Sequence, residues 1–166
     1  MNIVMIRGVV TFIILLLAQA LVLNHIHFFN CATPLLYVYM VLHFRRNSPR
    51  FALLIWSFTM GLLIDVFSNT PGIAASAMTF IGFVQPYLLE LFVPRDSADD
   101  LVPSARTLGG ASFFYYTLIL VFLYCLLFFT LETFNFFNWL QWLFSILGSM
   151  LLTIVLLYAI ENVRRK

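Results

Sequence analysis

The feature that most constrains this chain is the spacing of its charges, which gather in short clusters and leave nearly continuous apolar stretches between them. Each stretch approaches the roughly 20 residues that a helix needs to cross hydrocarbon. A water-soluble fold has no way to cover so much apolar surface: 63% of the 166 residues are hydrophobic and 10% charged, against about half and a quarter in ordinary globular chains. Membrane-spanning β-strands would run about ten residues and alternate apolar with polar, whereas these runs are unbroken. The expected fold class is therefore an all-α membrane protein.

Reading the apolar runs between polar breaks predicts six transmembrane helices in one compact bundle, a single transmembrane domain over 1–166. The spans are 8–24, 31–44, 51–67, 71–93, 109–131 and 138–160. The second is short. As a helix it reaches only about 21 Å against a core about 30 Å thick, and Pro34 lies near its start. It either begins earlier, at His27 or Phe28, or crosses a locally thinned bilayer. Basic residues collect in cytoplasmic loops. With six spans, Arg7, then Arg45, Arg46 and Arg50, then Arg95 and Arg106, then Arg164, Arg165 and Lys166 share one side, and these are all nine Lys and Arg. This predicts cytoplasmic N- and C-termini and a multi-pass membrane protein. The first run resembles a secretory signal, with Arg7 ahead of apolar 9–17 and then Ala18-Gln19-Ala20, but it continues through Leu21, Val22 and Leu23, so it is read as a retained span. The longest polar segment, 94–108, reads as a cytoplasmic loop.

Composition also narrows function. A net charge of +2, spread over short clusters, argues for no nucleic acid and leaves membrane lipids as the surroundings. Cys31 and Cys125 read as small apolar residues rather than disulfide or metal partners. His25 and His27 form an H-x-H pair near Cys31, yet two imidazoles are a weak metal signal and read as interfacial polar groups. Phe134, Phe136, Phe137, Trp139 and Trp142 read as an outer aromatic belt. A hydrolase needs an activated Ser or Cys beside a base, and an intramembrane aspartyl site needs a second carboxylate beside the first. Neither pattern is present, so no enzyme, cofactor or metal centre is expected.

The informative residue is Asp65, the one acidic group well inside a predicted span with apolar neighbours on both sides; such a group is costly in lipid and marks a site. Ser57, Gly61 and Asp65 recur every four residues, so they share a helix face on which another helix can approach closely. Gly72, Ser76, Thr79 and Gly82 form a similar stripe on the next helix, and Ser68-Asn69-Thr70-Pro71 between them forces an antiparallel hairpin. Thr70 reads as the N-cap and Pro71 as the first helical residue. Asp65 reads as a staple accepting hydrogen bonds from the amides that start the next helix, as a partner contact, or as both; ion or proton transport is disfavoured, because a relay needs several titratable groups inside the membrane. For the staple, Asp65→Asn keeps an acceptor and is expected to be mild. Glu90 reads as interfacial, reaching towards Arg95, and Glu132 as an outer span end.

The run Gly61-Leu62-Leu63-Ile64-Asp65-Val66-Phe67-Ser68-Asn69-Thr70-Pro71-Gly72-Ile73-Ala74-Ala75 resembles the rod shape-determining protein MreD family of bacteria, with its Gly-x-x-x-Asp run, small turn, Gly and apolar helix. Length, six spans and inside termini extend the resemblance over the chain. The resemblance implies a non-enzymatic component of the bacterial inner membrane, part of the cell-elongation complex that supports lateral peptidoglycan synthesis. It would bind an MreC-like membrane protein and act with MreB, RodA and a class-B transpeptidase. The helix-packing or partner-binding candidates are Ser57, Gly61, Asp65, Gly72 and Ser76. The competing reading is a substrate-binding membrane subunit of a small-molecule (vitamin) uptake transporter, because MreD resembles such subunits in fold; a structural anchor is a third.

Overall fold

The computed structural model describes residues 3–22, 25, 33–134 and 138–165. Six α-helices follow in order: α1 (Ile3–Leu17), α2 (Val38–Leu42), α3 (Arg50–Ser68), α4 (Ile73–Phe92), α5 (Gly110–Thr133) and α6 (Trp139–Arg165), and α1 runs on into a π-helical turn, Ala18–Val22. There is no strand among the described residues. Five helices are long and apolar enough to cross a membrane: Met5–Val22, α3, α4, α5 and α6, of 18, 19, 20, 24 and 27 residues. This is the make-up of a multi-pass membrane protein. The outward surface is apolar, as hydrocarbon requires: Val10, Ile14, Phe51, Val66, Leu91, Leu151 and Val155 are all exposed.

Helices α3, α4, α5 and α6 pack each on the next, and α1 lies against α3, where Phe12 meets Trp56 edge to face at 5.3 Å. The second predicted span, 31–44, needs correction. It is not one helix: within 33–44 only the five residues of α2 are α-helical, and residues 34–42 are buried without exception. This segment is a plug at the centre of the bundle, touching α1, α3, α4 and α5. Irregular backbone survives at membrane depth only where protein groups satisfy it. They do so here. Gln19 accepts from the Leu36 amide (3.0 Å) and donates to the Pro34 carbonyl (2.9 Å), Ser149 Oγ accepts from the Thr33 amide (3.0 Å), and Thr153 Oγ1 accepts from the Leu35 amide (3.1 Å). With Pro34 removing one donor and three side chains taking three more, a helix has little left to offer this stretch.

The plug runs in the same direction as α6, since Thr33 meets Ser149, Leu35 meets Thr153 and His43 meets Glu161. That register covers about 18 Å of α6 at 1.5 Å per residue. Its lower end gathers three basic segments at one end of the bundle. The Arg46 amide donates to the Leu101 carbonyl, the Ala105 amide to Glu161 and the Arg106 guanidinium to the Arg165 carbonyl.

Candidate functional site

The hairpin of α3 and α4 is where the sequence placed its candidates. Asn69 closes α3 in the left-handed region (φ 56°), and Gly72 enters α4 at φ +83°, a backbone state that costs glycine nothing. Asp65, 5% exposed, reaches across this turn. Its Oδ1 accepts from the Ala74 amide (2.8 Å) and the Thr70 hydroxyl (3.0 Å), and its Oδ2 accepts from the Ala75 amide (2.9 Å). The remaining early amides of α4 are also satisfied, Ile73 by the Thr70 carbonyl and Ser76 by the Gly72 carbonyl. Three donors that the helix start leaves open, the amides of Ile73, Ala74 and Ala75, therefore have acceptors, and the Ser76 amide makes the first bond within the helix. The helix dipole adds to the attraction for a carboxylate at this point.

The expected cap differs in detail. Gly72, not Thr70, takes the N-cap position, and Pro71 stays in the turn because α4 begins at Ile73. Thr70 donates to the carboxylate instead, leaving the stronger acceptor to the amides. Asn could not repeat this arrangement. Both oxygens of Asp65 accept, so an amide NH2 at either position would face another donor.

Below the turn, the two helices meet through small residues. A Cβ on Gly61 would lie 2.5 Å from Ala75 Cα and 2.6 Å from the Ala74 carbonyl oxygen; one on Gly82 would lie 2.7 Å from Ser57 Oγ. Ser57, Gly61 and Asp65 thus share the contact face, while Gly72 and Ser76 lie exposed. Ser76 donates only within its own helix start, to the Gly72 and Ile73 carbonyls. The face that α4 presents is Ala74, Met78 and Gly82, all buried and four residues apart. The stripe through Gly72 and Ser76 is displaced by two residues, about 200° around the helix, which turns it outward. On that outer side an open, mostly apolar groove of about 500 Å³ runs beside the turn, lined by Phe58, Leu62, Val66, Pro71, Gly72 and Ala75 together with Asp65 and Asn69.

Sequence reasoning missed two further polar groups. Buried Tyr37 and Tyr124 share a hydroxyl–hydroxyl bond, and Tyr116 accepts from Gln85 (3.0 Å) and donates to the Leu42 carbonyl (3.3 Å), fastening the plug to α4 and α5. At the basic end, His43 Nε2 lies 3.2 Å from Glu161 Oε2, and Arg164 donates to the Tyr39 hydroxyl (3.3 Å). Glu161 interrupts the end of the last apolar run, a signal of the same kind as Asp65. Glu90 is exposed and forms no ion pair with Arg95. Glu132 and His25 lie exposed, and Cys125 is buried in α5. His27, Cys31, Phe136 and Phe137 lie outside the described residues, whereas Phe134 and Trp139 of the expected belt are exposed. Among the described residues no three His, Cys, Asp or Glu side chains gather.

Compared with family models, with curated proteins and with solved structures, the chain matches none.

Proposed function

We propose that this chain is a non-enzymatic component of the bacterial cell-elongation complex. It sits in the inner membrane with six crossings and both termini in the cytoplasm, and binds an MreC-like membrane protein. MreB, RodA and a class-B transpeptidase are the wider assembly. The sixth crossing is assigned to the chain ahead of α3, completed by the plug rather than by a full helix.

The observation that carries this reading is the hairpin bearing the MreD-like run. Its carboxylate accepts three internal bonds, so it offers a partner a fixed shape rather than a reactive group. A preformed surface lowers the ordering cost of association. The transporter reading asks for a pocket with convergent polar groups inside the bundle. The described interior is filled by residues 34–42, which favours the elongation complex.

Co-purification tests it: the tagged chain should recover an MreC-like single-span protein from bacterial membranes. Recovery alone with a bound vitamin would establish the transporter instead. Topology is tested by reporter fusions, with cytoplasmic signals after Arg50, Ser97 and Lys166 and outside signals after His27, Asn69 and Asn135. An outside signal at Arg50 with a cytoplasmic one at His27 would refute six crossings.

A further inference from the structure

Arginine carries five N–H donors and keeps its charge, so in a folded protein it normally faces a carboxylate, a carbonyl or water. Arg45, Arg46, Arg50, Arg95, Arg106, Arg164 and Arg165 stand at one end of this bundle, and among the described residues none has a carboxylate within 4.0 Å. Arg106 and Arg164 donate to protein oxygens at that same end, the Arg165 carbonyl and the Tyr39 hydroxyl. Arg50 is different. It opens α3, and its guanidinium lies across Tyr87 of α4, with Nη1 donating to the Tyr87 hydroxyl at 3.1 Å and the guanidinium carbon 5.1 Å from the ring centroid.

That pair faces outward. Tyr87 is 47% exposed, and around it Phe51, Phe83 and Leu91 are 75%, 56% and 79% exposed. A fixed, unneutralised guanidinium therefore sits at the edge of an apolar belt, at the level where two spanning helices begin and end. Tyr and Arg at this level suit the headgroup region of a bilayer. An arginine held in place by an aromatic face has lost its rotamer freedom in advance and presents its remaining N–H groups in the fork that matches phosphate oxygens.

We propose that Arg50 and Tyr87 form a headgroup site for an acidic glycerophospholipid, with its phosphate on the guanidinium and its acyl chains along Phe51 and Phe83. A lipid is favoured over free phosphate because the exposed apolar side chains continue from the charge into the span, which a small anion would leave uncovered. Arg45, Arg46 and Arg95 add long-range attraction for the acidic headgroup. Exposed Glu90, three residues from Tyr87 on α4, opposes it.

The site is tested by native mass spectrometry of the full chain from nanodiscs of phosphatidylcholine with and without phosphatidylglycerol. The wild type should release with phosphatidylglycerol enriched. R50Q should lower the enrichment about fivefold, the factor expected for one arginine at an acidic surface. R50K keeps charge without the fork and should fall between, Y87F should give a smaller loss, and E90Q should raise enrichment. R106Q should leave it unchanged. An equal loss in R50Q and R106Q would reduce the effect to diffuse charge and overturn the site, and so would displacement of the lipid by inorganic phosphate. Should R50Q fail to fold, R50K and Y87F decide: no change in either refutes the proposal.

Discussion

The α3–α4 hairpin and the plug at 33–44 face the same problem, backbone amides at membrane depth without water, and solve it over different distances. In the hairpin the acceptor for Ala74 and Ala75 is Asp65, nine and ten residues earlier in the chain. In the plug the acceptors for Thr33 and Leu35 are Ser149 and Thr153, 116 and 118 residues later. The first closes as soon as two neighbouring helices form. The second requires α6 to be in place. The hairpin is thus a local unit on which the bundle can be built, and the plug is a seam closed by tertiary packing.

The largest effect that tests this contrast is expected at Gly61. Gly61→Ala places a methyl group inside the backbone of Ala74 and Ala75, so α3 and α4 must separate. The cost should be about 3 kcal/mol, read as earlier unfolding in mixed micelles titrated with SDS. Near wild-type stability would show that the close approach does not hold the hairpin.

Asp65→Leu comes next. It leaves two amides and a hydroxyl without their acceptor, at about 2 kcal/mol. Asp65→Asn should lose about half as much, because one of its two terminal atoms is a donor. Abundance in the membrane and recovery of partner should fall together in both variants. Normal abundance with complete loss of partner would make Asp65 a contact instead of a staple.

Gln19→Leu acts on the other region. It unpairs the Pro34 carbonyl and the Leu36 amide, at about 1 kcal/mol. Hydrogen exchange should quicken at the amides of residues 33, 35 and 36 and stay slow at 74 and 75; Asp65→Leu should do the reverse. If each variant loosens both regions equally, the hairpin and plug are one cooperative unit and the contrast fails. The smallest effect is expected at Ser76, whose hydroxyl bonds only to its own helix start on the exposed side. Ser76→Ala should stay within about 0.5 kcal/mol of wild type in the same micelle titration.

What the sequence determined by itself follows from patterns that need no partner. Apolar runs long enough for hydrocarbon mark α1 and α3 to α6, because a spanning helix satisfies its own backbone within four residues. Asp65 stood out because a carboxylate there must find donors, and the short turn brings them close. The tertiary structure decided the rest. Near residues 33–37 only Pro34 and the shortness of the run hint at a non-helical path, since the groups that make it tolerable, Gln19, Ser149 and Thr153, belong to other helices. The choice of Ala74, Met78 and Gly82 over Gly72 and Ser76 depends on where α4 starts, and that start is set by a carboxylate reaching across the turn. Side-chain acceptors drawn from across the fold leave no local period to read, and they alone settle where backbone can abandon the helix.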